Sequence, residues 1–196
     1  MRFARILVAV AAVGVFSGCA SHYLDASTKE VAAAQYKKPA QAKPVQLLFE
    51  FQSKGVINTR ATDYLKVQVG EQVKASGLFS VVDDKAVPGG ALLSITLNNV
   101  PLTDDAFSKG FMTGLTFGLA GSTVSDGYVC TVKYLNGGPA EPITKVARHA
   151  IHTTMGATAT PEKATKAENI EAAVRTMTRE IVSNTLNDLS NDATFK

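Results

Sequence analysis

The chain is short of the residues on which most enzymatic chemistry depends. Its 196 residues include only two cysteines and three histidines. No Gly-x-Ser-x-Gly elbow occurs, so nothing seats a hydrolase nucleophile. No glycine loop ends in Lys-Ser or Lys-Thr, so nothing marks a phosphate cradle. The histidines do not converge: His22 lies near the start, and His149 and His152 are three apart on a predicted strand. Side chains at that spacing on a strand point to opposite faces. Without a cysteine or carboxylate cluster to complete them, no metal site follows. The acid pairs Asp83-Asp84 and Asp104-Asp105 fall at the ends of predicted elements, where solvated turn residues belong. These absences point away from an enzyme and imply no cofactor and no metal.

A spanning helix is also missing from the expected elements. The apolar run from Ile6 to Phe16 is eleven residues, short of the roughly 20 needed to cross a bilayer. Arg2 and Arg5 precede it, and Ser17, Gly18 and Cys19 follow. A charged start, a short apolar stretch and a small-residue exit have the anatomy of a secretory signal. The cysteine directly after the small pair sets this signal apart. Phe16-Ser17-Gly18-Cys19 resembles the lipobox of bacterial lipoproteins, with Phe16 in place of the usual aliphatic residue. That resemblance implies removal of residues 1–18 and lipidation of Cys19 with a thioether-linked diacylglycerol and an amide-linked acyl chain. Several chains together anchor stably, at about 0.8 kcal/mol per buried methylene. The alternative is an ordinary secreted protein with a cysteine at that place. Ala20 and Ser21 follow with no aspartate, which by the same resemblance implies the outer membrane, with the domain facing the periplasm.

Removing the signal changes the charge argument. The full chain has 20 basic and 17 acidic residues, a balance of +3, and two of those basic residues lie within the first 18. The remainder is close to neutral, which gives no reason to expect nucleic acid. With Cys19 acylated, Cys130 has no intramolecular disulfide partner. Its strand-like apolar surroundings predict a buried, inert thiol.

Residues 19–44 read as a lipidated flexible tether. Ser27 and Glu30 have the spacing of a capping box opening a short helix over 31–36. Two prolines and three lysines without apolar periodicity then predict an extended spacer over 37–44. Residues 45–192 read as one periplasmic α+β domain. Alternation predicts a strand over 45–52, and Asn58 or Thr59 caps a helix reaching about Ser76, closed by Gly77. Strands follow over 78–82, 91–100, 124–135 and 144–155, the last two forming a hairpin about Asn136-Gly137-Gly138-Pro139. Thr160-Pro161-Glu162 predicts the start of a final helix of roughly 30 residues, about 45 Å long. The expectation is a two-layer sandwich, a mainly antiparallel sheet of four to five strands with two helices in the order β-α-β-β-β-β-α.

The junction Ala75-Ser76-Gly77-Leu78-Phe79-Ser80-Val81-Val82 looks like one found in a group of periplasmic domains. The group includes the amino-terminal domain of the Tol-system propeller protein, the curli secretion lipoprotein and the lipoprotein activators of penicillin-binding proteins. The resemblance implies a fold and a compartment, and carries over no catalytic residue.

The least ordinary stretch is 110–121, Gly110-Phe111-Met112-Thr113-Gly114-Leu115-Thr116-Phe117-Gly118-Leu119-Ala120-Gly121. Glycine costs about 1 kcal/mol relative to alanine in a water-exposed helix. Three glycines at a spacing of four, among large apolar residues, therefore need a compensating environment. That environment is the lipid leaflet, another protein surface, or the domain's own sheet. The candidate interaction residues are Gly110, Phe111, Met112, Gly114, Leu115, Phe117, Gly118 and Leu119. The expected function is that of a non-catalytic outer-membrane lipoprotein, an accessory, assembly or regulatory factor of an envelope complex. The expected partners are the membrane, through the lipid, and an envelope protein or a second copy. The alternative is a lipid-binding or membrane-remodelling lipoprotein that inserts 110–121 in the leaflet.

Overall fold

The computed structural model describes residues 20–102, 123–138, 141–156, 160–161 and 163–195. Their element order is β1 (Ala20–Asp25), a 3-10 turn (Ala33–Gln35), β2 (Val45–Ser53), β3 (Val56–Ile57), α1 (Thr59–Ala75), β4 (Val82–Asp83), β5 (Ala91–Pro101), β6 (Thr123–Leu135), β7 (Ile143–Met155), β8 (Ala164–Lys166) and α2 (Ile170–Ser190). All eight strands join one sheet in the order β3-β2-β5-β6-β7-β1-β8, with β4 alongside β2. β2 runs parallel to β5 and β4, and the remaining pairs are antiparallel.

The long strands form where apolar residues alternate. Leu93, Ile95 and Leu97 on β5 face Tyr134, Val132 and Cys130 on β6, and all are buried. Both helices lie on this face. Asn58 accepts a bond from the Ala61 N–H at 3.0 Å, which supplies the cap of α1. Gly77 closes the helix with φ near +65°, a conformation that costs other residues about 1 kcal/mol or more. α1 presses Leu65, Val69 and Val73 into the core, and α2 presses Ala173, Met177, Ile181 and Leu186. The helices are stitched side by side by Gln68 and Gln72, whose side-chain amides donate to the Arg175 and Arg179 carbonyls at 2.8 Å. Below them Tyr134 and Phe195 stack edge-on at 5.0 Å, with Phe79 against Phe195 at 6.0 Å.

The α+β class holds, but the sheet has eight strands rather than four or five. The largest correction concerns residues 19–44, which the sequence suggested were a flexible tether. Ala20–Asp25 is a strand paired with β7 over five residues and with β8 over three. Beyond it the chain lies along α2: the Ser183 side chain accepts from the Val31 N–H at 2.9 Å, and the buried Tyr36 phenol donates to the Ser183 carbonyl at 3.1 Å. Burial, with Glu30 nearby, pushes that phenol up to about 12. The expected capping box is absent, because Ser27 bonds back to Asp25 and Glu30 pairs with Arg179 at 2.9 Å. In place of a helix over 31–36 there is one 3-10 turn. Residues 37–44 hold no helix or strand but bend at Ala40 and Gln41 and are docked, with the Lys43 carbonyl accepting from the Ser80 N–H at 3.0 Å.

Two further boundaries moved. The expected strand over 78–82 shrinks to Val82–Asp83, since Leu78 and Phe79 are buried as core residues of an irregular segment. α2 begins at Ile170 rather than near Pro161, capped by Asn169 accepting from the Ala172 N–H at 2.8 Å. The residues before it form β8, which pairs with β1. The two-layer picture also falls short, because Tyr23, Asp25, Ser125 and His152 are buried on the sheet face away from the helices.

A docked β1 has a measurable signature. The amides of Tyr23 and Leu24 should exchange with solvent water as slowly as that of Ile151, whereas a mobile spacer would exchange them within the dead time.

Candidate functional site

Cys19 and the interaction segment Gly110, Phe111, Met112, Gly114, Leu115, Phe117, Gly118 and Leu119 lie outside the described residues. What is described is the frame that holds both. Ala20, the residue after Cys19, pairs with Met155 at the end of β7. On the other side of β7, Thr123 pairs with Thr154 and opens β6. The backbone positions of Ala20 and Thr123 are therefore two strand spacings apart, about 10 Å. The outgoing limb is held here too, since the Leu102 N–H donates to the Ser125 carbonyl at 3.2 Å. Ala20, Leu102 and Thr123, which adjoin the cysteine and the glycine-rich stretch in the sequence, thus lie at the same end of the sheet.

A buried polar cluster holds β1 at that end. His152 and Ser125 face each other across β6 and β7, with His152 Nδ1 2.8 Å from Ser125 Oγ. His152 Nε2 lies 3.7 Å from Asp25 Oδ2, longer than a hydrogen bond. The Asp25 carboxylate also accepts from the Ser27 N–H at 2.8 Å and from the Ser27 hydroxyl. Burial alone would raise the Asp25 pKa, but the nearby His152 ring and the bonds from Ser27 outweigh it and hold the carboxyl below its ordinary value. Asp25 is 0% exposed, His152 3% and Ser125 7%. A serine, histidine and aspartate in sequence suggest acyl transfer, but that chemistry needs an open position beside the nucleophile. These three side chains are sealed, and their effect is to fasten β1 to β7 and β6.

His149 looks the other way, as its spacing from His152 requires. Its Nε2 sits 2.7 Å from Glu180 on α2. Nδ1 lies 2.8 Å from the Ala150 N and 3.2 Å from the Ala150 carbonyl oxygen. The pair is a strut between sheet and helix. Cys130 is fully buried beside Thr185, 3.5 Å away, and burial pushes its thiol up to about 12. That is the inert thiol its sequence context suggested. Neither β1 nor the cluster on it was legible beforehand, because Asp25, Ser125 and His152 are brought together only by the register. The single available signal was His152 on a strand, which could not name its partners.

Among the described residues, no three His, Cys, Asp or Glu side chains are placed to hold a metal ion, and no helix is long and apolar enough to cross a membrane. A concavity of about 890 Å³ lies at the outer edge of β2 beside α1. Leu48, Glu50, Val67, Gly70, Asp83 and Asp84 are among its walls.

No family model and no curated protein matches the chain. Among solved structures, the chain is similar to a PelC dodecamer from Paraburkholderia phytofirmans, with 12% identity over 86% of this chain and 98% of that one at a TM-score of 0.33. A second PelC dodecamer from the same organism gives 10% identity, coverages of 84% and 96%, and a TM-score of 0.33. A minor lipoprotein from Acinetobacter baumannii gives 15% identity, coverages of 78% and 90%, and a TM-score of 0.37. Likenesses this distant carry no conclusion about function or assembly.

The Asp25 cluster predicts an acid-dependent stability. Asp25→Ala removes the buried carboxylate that holds Ser27 and faces His152, and should cost about 1–3 kcal/mol in urea unfolding at neutral pH. Because the folded carboxyl is more acidic than the free one, its contribution is complete above the ordinary value of 3.8 and is lost as pH falls through the depressed one. The gap between Asp25→Asn and the parent chain should therefore close in acid and stay open near neutrality.

Proposed function

We propose that the chain is a lipid-anchored accessory protein of a bacterial envelope complex, working by protein contact rather than by catalysis. One observation carries the reading: the residue after the lipobox-like cysteine is already the first residue of a strand inside the sheet. An acyl group on Cys19 then holds a folded body directly at the membrane surface, with no spacer to let it drift. The sealed state of the Asp25, His152 and Ser125 cluster supports a non-catalytic role. The outer-membrane address follows from Ala20 and Ser21 after the cysteine and the resemblance described above.

A second reading is favoured by the position of the glycine-rich connection. The described chain stops at Leu102 and resumes at Thr123, and Thr123 and Ala20 flank β7. In this reading segment 110–121 enters the leaflet to which Cys19 is tied. Its glycines then lie in a setting where close packing offsets their poor helix propensity.

Mass spectrometry of the amino-terminal peptide should find a lipidated Cys19, and Cys19→Ser should move the protein from the membrane to the soluble fraction. An unmodified cysteine would end the lipoprotein reading. Deleting residues 111–119 separates the roles of the segment. A folded variant that no longer copurifies a partner supports contact, and an unfolded one assigns the segment to the core. A Cys19→Ala chain that binds liposomes only with the segment intact supports insertion.

A further inference from the structure

The outer edge of β2 is paired at its two ends and open in the middle. β4 lies beside Val45 and Gln46, and β3 lies beside Gln52 and Ser53. Across this edge the Val45 N–H donates to the Val81 carbonyl at 2.8 Å, and the Phe51 carbonyl accepts from the Asn58 N–H at 2.9 Å. Backbone groups alternate sides along a strand, so the odd-numbered residues face outward. Phe49 therefore directs its N–H and C=O into the gap, while Leu48 and Glu50 pair with β5 on the inner side. From Leu47 to Phe51 the gap is about 13 Å long, room for roughly four extended residues.

The walls fit such an occupant. On the sheet side Leu48 is 45% exposed, and on the helix side Val67 is 68% exposed. Between them α1 carries Gly70, an unfavourable residue in a helix interior. A Cβ built there meets nothing within 4 Å, so the glycine answers no packing need within the chain. It leaves a shallow seat where a second backbone can approach. The charge is one-sided: Glu50, Glu71, Asp83 and Asp84 line the cleft against Lys66 and Lys74. Both lysines are engaged, Lys66 with Asp63 at 2.8 Å and Lys74 with Glu71 at 3.1 Å. Glu50, Asp83 and Asp84 remain at the mouth.

We infer that the β2 edge binds an extended peptide segment of a partner protein, apolar at its centre and basic at its flanks, by adding it as a strand beside Phe49. Main-chain bonds to Phe49 supply affinity, Leu48 and Val67 take alternate side chains, and the carboxylates take the basic ends. This deepens the proposed contact function by naming a surface for it. It does not depend on Cys19 being lipidated.

The test uses the purified full chain in detergent and the synthetic peptide Lys-Val-Thr-Val-Thr-Val-Lys, followed by amide exchange. In the absence of peptide the Phe49 amide should exchange about tenfold faster than those of Leu48 and Glu50. Saturating peptide should bring it down to their rate, and a peptide with proline at the central valine should not. Gly70→Arg should abolish the protection while leaving the melting temperature unchanged. Val67→Glu, at a site already exposed, serves the same purpose if Gly70→Arg does not fold. The inference is overturned if the peptide leaves Phe49 unprotected. Phe49 becoming protected on raising the concentration of the chain alone points to a second copy and also overturns it. Protection by phosphatidylglycerol vesicles without peptide does the same by pointing to lipid. A lipid-free Cys19 with a protected Phe49 would sink the anchor reading and leave this one standing.

Discussion

A strand inside a sheet must satisfy hydrogen bonds on both sides, and for β7 the outer side is satisfied by β1. The rest of the architecture depends on that pairing. It brings the residues next to Cys19 into the folded body and carries Asp25 to His152 and Ser125. It also gives β8 a strand to pair with before α2 begins. Without β1, the upper part of β7 would present unpaired backbone and two buried polar side chains lacking their carboxylate.

The other face of the sheet is organised by apolar area rather than by polar fastening. α1 and α2 cover β2, β5, β6 and β7 with fully buried aliphatic side chains. An ionisable pair there, His149 with Glu180, joins sheet to helix, and both ring nitrogens are engaged. At the far end Lys145 on β7 reaches Asp192 beyond α2 at 2.7 Å and keeps that carboxyl well below its usual range. The two faces thus divide the labour: aliphatic packing under the helices, a polar clasp on the opposite face.

What was legible in the sequence was whatever local pattern decides. The Asn58 cap, the Leu65-Val69-Val73 stripe and the Gly77 stop specify α1 without reference to anything distant. Alternation and an Asn-Gly-Gly turn specify the β6–β7 hairpin in the same way. β1 was missed because Ala-Ser-His-Tyr-Leu-Asp has no clean alternation and buries residues on both faces. Its strand identity comes from its partner. The start of α2 was missed because Thr160-Pro161 imitates a helix entry, while Asn169, the true cap, stands just as plausibly nine residues later. The open β2 edge was illegible for the same reason as β1: only the register shows which part of a strand lacks a neighbour.

The separation between β1 and its partner has a kinetic consequence. His22 and Thr153, bonded at 3.0 Å, are 131 residues apart along the chain. Contacts this distant form slowly, because the closure entropy is spent before any bond repays it. In a polypeptide delivered amino end first, the β1 segment waits unpaired until the β6–β7 hairpin has emerged. Docking of that segment therefore waits on the second half of the chain, and until it happens the outer edge of β7 has no strand beside it.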